Sequence, residues 1–160
     1  MGCLGEDDCP IKQAYADVMP DNCVPITLKT HSQYLEILNT IRKDTVKIVI
    51  VQIDGENPKD PIVNQAKERM LLEKQEIVSR WFGTVAPGRS AVQYTFLKNR
   101  DFFSFLRSLE SFFLVGSESP YTVKKTEFGF DDIAFLDSNG DVLFFTTTHE
   151  GYAHLNNKYQ

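Results

Sequence analysis

The chain has 160 residues, enough for one domain whose core hides roughly two thirds of the unfolded surface without help from a disulfide or metal. Apolar residues at 42% and charged residues at 24% exclude a disordered tail, a collagen-like fibre and a disulfide-knotted miniprotein. With 17 basic against 22 acidic side chains the formal charge is −5, which disfavours direct nucleic-acid binding and favours encounter with a cationic protein partner.

Residues 1–23 carry Pro10, Pro20 and the acids Glu6, Asp7 and Asp8 with little periodicity. They predict an irregular N-terminal arm, followed by a single α+β domain over residues 24–160. Acids stand where a secretory signal has basic residues and an apolar run, and the longest apolar run, residues 46–53, is broken by Lys47 and Gln52. The expected compartment is therefore the cytoplasm, with no membrane span. Met1-Gly2-Cys3 opens the alternative of an acylated peripheral membrane adaptor, although Glu6 occupies the place where the acylation pattern takes Ser or Thr. Cys3, Cys9 and Cys23 are odd in number and lack the close pair that seeds a zinc site, so neither a metal nor another cofactor is expected.

Residues 24–29 form a short β-branched stretch that Pro25 restricts to an edge or to the start of a strand. Thr30 and Gln33 make a capping-box pattern ahead of Tyr34, Leu38 and Ile41, predicting a helix over about residues 31–43. Residues 45–53 are rich enough in β-branched side chains to be a central strand covered on both faces. Asp60 and Pro61 then supply an N-cap and an N1 proline. Val63, Ala66, Met70, Ile77 and Trp81 continue as a stripe, predicting one long amphipathic helix that ends before Pro87.

The following loop, residues 83–90, lacks the Gly-Lys-Ser/Thr ending of a phosphate loop. Residues 91–97 alternate as a strand, and Asn99 caps a third helix with Phe102, Phe105, Leu106, Leu109, Phe112 and Phe113 on its core face and Gly116 at its end. Residues 121–127, 132–136 and 142–148 are strand-like. Asp137 to Asp141 reads as a hairpin turn, with Asn139 and Gly140 at positive φ. A calcium loop is the weaker alternative there, because Val142 and Thr148 stand where Gly and Glu are required. The whole predicts an α+β fold: a mixed sheet of about five or six strands, three helices, βαβ-like crossovers in the first part and an antiparallel hairpin at the C-terminus.

The chemically richest segment is Thr146-Thr147-Thr148-His149-Glu150-Gly151-Tyr152-Ala153-His154. His149, Glu150 and His154, joined by Asp132, form the alternative reading, a small metal-assisted hydrolase. On one extended strand residues five apart face opposite sides, so only a turn at Glu150-Gly151 brings the two imidazoles together.

Residues 130–151, with Asp137-Ser138-Asn139-Gly140-Asp141 between two apolar strands and Thr148-His149-Glu150-Gly151 at the end, resemble the terminal hairpin and "THEG" ending of immunity proteins. These are small bacterial proteins encoded beside polymorphic or contact-dependent toxins. The resemblance implies a non-enzymatic, stoichiometric inhibitor of a toxin domain and transfers no interface residue. On that reading an acidic surface drawn from Glu6, Asp7, Asp8, Glu56, Asp60, Asp131 and Asp132 is the expected contact with a basic toxin cleft.

Overall fold

A computed structural model describes residues 18–115, 123–124 and 126–160. Among the described residues the architecture is α+β, with seven strands in one sheet, two two-stranded ribbons and three α-helices. The expected arm places Gly2, Cys3, Glu6, Asp7, Asp8 and Cys9 outside the described residues, and Gly116, Tyr121 and Thr122 also lie outside them.

The strands of the sheet are β1 (Cys23–Ile26), β2 (Lys47–Gln52), β3 (Leu71–Val78), β6 (Ala91–Leu97), β9 (Asp132–Leu136), β10 (Val142–Thr147) and β11 (Tyr152–Asn156). Two ribbons complete the count: β4 (Arg80–Trp81) with β5 (Thr84–Val85), and β7 (Leu114–Val115) with β8 (Val123–Lys124). The sheet order is β1-β11-β10-β9-β2-β6-β3, and each neighbouring pair is antiparallel. The sheet is thus larger than expected and every adjacent pair is antiparallel, so the βαβ-like crossovers are present in split form, with another strand between the two that each helix connects. Each helix still connects two strands that run in the same sense: β2 and β3 flank β6, β6 and β9 flank β2, and β1 runs parallel to β2 four places away.

β2 is an interior strand, next to the central β9, and Ile48 to Gln52 are all buried. Its Ile48 and Ile50 join the larger core with α1 (His31–Ile41), α2 (Pro61–Arg69) and α3 (Arg100–Arg107). Its Val49 and Val51 face a smaller cluster with Trp81, Ala91, Ala134 and Phe145 on the other side of the sheet. This two-sided burial is why the strand reads as a near-continuous apolar run.

Local capping signals act as the sequence implies. Thr30 and Gln33 close a capping box at α1, Asp60 caps α2 with Pro61 in its first turn, and Asn99 caps α3. The long second helix is a correction. It stops at Arg69, Met70 turns extended, and β3 pairs with β6 along Leu71 to Val78. Ile77 and Trp81 matched helical spacing by coincidence: Ile77 stands 75% exposed on the edge strand, while Trp81 is buried on the far face in β4. The third helix also ends early, and Leu109, Phe112 and Phe113 enter the core from irregular chain beyond it.

In the hairpin turn Asp137 Oδ1 accepts from the Asn139 and Asp141 amides, each at 2.9 Å. Gly140 alone takes positive φ there, at +82°, so the same expectation for Asn139 is corrected. β11 was not expected as a strand; it follows a 3₁₀ turn at Thr148–Glu150 and lies between β10 and β1. Among the described residues no helix is long and apolar enough to cross a membrane.

Candidate functional site

The polar groups of the larger core converge where β2 ends. Gln52 is the last residue of that strand and shares its side with Ile48 and Ile50, so its amide is carried into the interior. There it is fully used. Its Oε1 accepts from the Tyr94 hydroxyl at 2.8 Å, and its Nε2 donates to Asp60 Oδ2 at 3.0 Å and to the Asn57 carbonyl at 3.2 Å. Asp60 is held by its capping role, with Oδ1 accepting from the Ile62 and Val63 amides at 2.9 and 3.2 Å. A carboxylate at a helix N-terminus is stabilised by those amides and by the helix dipole.

Asp131 arrives from the opposite side of this network. The turn over residues 126–131, tied by the Gly129 amide to Thr126 and the Asp131 amide to Phe128, delivers its carboxyl to Asp60. The residue is 7% exposed, and among the described residues no donor reaches its Oδ2. Burial, followed by the Asp60 carboxylate and by Asp132 and Asp54, pushes the Asp131 acid up to about 10. It is a neutral carboxylic acid at pH 7. Burial also raises the Tyr94 phenol, reinforced by Glu56, Asp60 and Asp131.

Over this floor lies a cleft of about 190 Å³. Its rim carries the exposed carboxylates Asp54 and Glu127, and its walls include Ile53, Pro61, Phe128 and Phe130. A neighbouring groove of about 420 Å³ shares Gly55 with the cleft and runs beside Gln75, Glu76 and Ile77 of the β3 edge and Ala91 and Val92 of β6, with Glu56 at its lip. The two adjoin at Gly55: the cleft has an acidic rim, and the groove sets the exposed Ile77 beside Glu56 and Glu76.

The expected acidic residues are placed differently from an open patch. Glu56 is exposed, but Asp60, Asp131 and Asp132 are 5%, 7% and 0% exposed, which corrects their assignment to a surface. The physical reason is that a buried carboxyl is retained where donors meet it, as at Asp60 and Asp132, or where it keeps its proton, as at Asp131. Asp132 shows this on the far side of the sheet, accepting from Trp81 Nε1 and from the Thr148 amide, both at 2.8 Å. Burial raises its acid to about 6, against the opposing pull of Trp81, Thr148 and His149.

The alternative hydrolase set divides among different tasks. His149 lies on the 3₁₀ turn with Nε2 3.6 Å from Glu150 Oε1. His154 lies on β11 with its ring stacked flat on Phe145 at 4.7 Å, and burial lowers its affinity for a proton. Asp132 is committed to Trp81 and Thr148. Among the described residues no three His, Cys, Asp or Glu side chains gather as metal ligands.

Gln52, Tyr94, Asp54 and Glu127 were not singled out as site residues from the sequence. Gln52 left a trace as a polar interruption of an apolar run; the others read as ordinary strand or surface residues. Compared with known protein families, curated proteins and solved structures, the chain matches none.

Proposed function

We propose that this chain is a non-catalytic cytoplasmic binding protein, an immunity protein that neutralises a basic toxin domain by forming a one-to-one complex. The observation that carries the reading is the surface formed by an acid-floored cleft with Asp54 and Glu127 on its rim and, adjoining it at Gly55, a groove in which the 75% exposed Ile77 stands beside Glu56 and Glu76. A protein partner presenting basic and apolar side chains side by side is complementary to both at once. The C-terminal hairpin, with its resemblance to immunity proteins, supplies the class of partner, and the net charge of −5 steers a cationic toxin toward the surface.

Affinity capture from the source organism, with mass spectrometry of what is retained, tests the reading. The expected result is a stoichiometric complex with the product of a neighbouring gene. Raised salt should slow its association more than it speeds its dissociation. Ile77→Asp should weaken the complex about tenfold or more by placing a charge in an apolar contact. No retained partner, or a complex indifferent to both salt and Ile77→Asp, overturns the proposal.

A further inference from the structure

The chain is acidic overall, yet five of its 17 basic side chains line a single hollow and no acidic side chain does. The hollow, of about 500 Å³, opens between α1 and α3. Arg42 and Lys43 reach it from the turn after α1, and Lys98 from the loop after β6. Arg100 and Arg107 reach it from α3, where a separation of two turns sets them on one helical face.

These cations have no counter-charge. Among the described residues none of the five forms an ion pair: the pairs there take up Lys47, Lys74, Lys158 and His149. Asp44, next to Lys43 in the chain, accepts from the Tyr159 hydroxyl at 2.6 Å. Two of the five are also held in place. Lys98 Nζ donates to the Arg42 carbonyl at 2.6 Å and stands 5.6 Å from the centre of the Phe103 ring, and the Arg107 guanidinium donates to Asn39 Oδ1 across the two helices. One hydrogen bond leaves most donors of each group unused. Like charges gathered round a concavity repel one another, and an anion that enters it offsets that repulsion.

We propose that this hollow binds the di- or triphosphate group of a small molecule, with the guanidinium groups of Arg42, Arg100 and Arg107 meeting phosphoryl oxygens and Lys43 and Lys98 adding charge. The site stands at the opposite end of β2 from the acidic cleft: the Lys98 amide donates to the carbonyl of Val46, just before the strand, whereas Gln52 in the cleft is its last residue. The inference is independent of the protein-binding reading.

Three features favour linked phosphoryl groups. A hollow of about 500 Å³ has the size of a small-molecule site, more than one inorganic anion fills. Guanidinium forks match the oxygens of a phosphoryl group two at a time, and cations from three parts of the chain are answered by a ligand carrying several charges in a row. A long polyanion would run beyond the hollow and meet the acidic remainder of a chain of charge −5, whereas a small molecule ends within it. Leu38 and Phe103, the apolar residues lining the hollow, are 0% and 5% exposed, so they offer little apolar contact and charge dominates recognition.

Isothermal titration calorimetry of the full chain with tripolyphosphate, ATP and inorganic phosphate tests the inference. Tripolyphosphate and ATP are expected to bind one-to-one with similar Kd, inorganic phosphate about tenfold more weakly or worse, and all three more weakly as salt rises. Arg100→Gln is expected to weaken tripolyphosphate binding about fivefold, and Arg42→Gln combined with it about twentyfold or more. Lys29→Gln, before the start of α1, removes an equal charge and is expected to change Kd less than about twofold. All three side chains are exposed, and a native amide NMR spectrum confirms that each variant is folded.

No saturable binding of tripolyphosphate, inorganic phosphate binding as tightly as tripolyphosphate, or equal losses in Lys29→Gln and Arg100→Gln overturns the inference. Two further probes distinguish other occupants. A poly-glutamate peptide binding more tightly than tripolyphosphate would assign the hollow to an acidic protein segment. Retention on phosphatidylcholine vesicles carrying a bisphosphorylated lipid, without binding of tripolyphosphate, would assign it to a lipid headgroup. Either result overturns the small-molecule inference.

Discussion

Asp131 and Asp132 are adjacent in the chain and buried on opposite sides of the sheet: the first meets Asp60 beside the helices, and the second accepts from Trp81 Nε1 at 2.8 Å beneath the far face. Strand alternation at the start of β9 separates them. The separation gives the two acids different chemistry, because one faces another carboxylate and the other faces two donors.

Asp131 makes the folded chain less tolerant of base. Its acid is raised to about 10, so above the ordinary carboxyl value near 4 the folded state keeps a proton that the unfolded state has lost. The contribution to stability is therefore fully present below about pH 4 and declines as pH rises toward about 10. Asp131→Asn retains a neutral donor toward Asp60 and does not titrate. It should be more stable than the parent near pH 7.5, with the difference vanishing near pH 4, as read by urea unfolding at both values.

Asp132 has the same sign over a narrower window, since its acid is raised only to about 6. Its stabilising contribution is lost between about pH 4 and about pH 6, and the ionised form that prevails above that window is held by the two donors. Trp81→Phe removes the indole donor together with some buried volume, and only the donor loss depends on pH. The expected loss is about 1–3 kcal/mol at pH 8 and less at pH 5, where the acid carries its own proton. Equal losses at both values in denaturant unfolding would contradict the role given to the indole.

His154 works in the other direction. Burial against Phe145 lowers its proton affinity, so the unfolded chain binds the proton better and stability falls as pH drops through the ordinary histidine value near 6.5. His154→Phe preserves the stacked ring and removes the titration. It should narrow the difference in thermal midpoint between pH 8 and pH 5. An unchanged difference would mean that the acid sensitivity resides elsewhere.

Two glycines at positive φ separate backbone strain from packing. At Gly83, φ +73°, an added Cβ would lie 2.7 Å from Phe145 Cε2, inside a buried cluster whose ring already rests on His154. At Gly140, φ +82°, it would meet nothing within 4 Å. Gly140→Ala should therefore cost about 1 kcal/mol from the backbone alone. Gly83→Ala should cost about 2–4 kcal/mol, the additional part coming from the displaced Phe145 ring. Denaturant unfolding of the two variants under one set of conditions measures the gap.

Signals that act within three or four residues were legible. Thr30 with Gln33, Asp60 with Pro61, and Asn99 each start a helix because a side chain meets amides only a few positions away. The strands at Ala91–Leu97 and Asp132–Leu136 were legible for a similar reason, since alternation and β-branching are written into consecutive residues. Residues 71–78 were misread as helix because their apolar positions fit helical spacing, and the hydrogen bonds that make them a strand come from β6, nearly twenty positions away.

The cleft was beyond this range. Gln52, Asp60, Tyr94 and Asp131 come from four parts of the chain and meet only when β6, β2 and β9 stand side by side. The linear order of residues was sufficient to establish where helices begin, which strands are buried and the acidic balance of the whole. Tertiary structure alone decided that every sheet neighbour runs antiparallel, that residues 71–78 form an edge, and that Asp131 keeps its proton. The physical reason is that strand pairing and the proton affinity of a buried acid depend on groups distant in sequence and brought close only by folding.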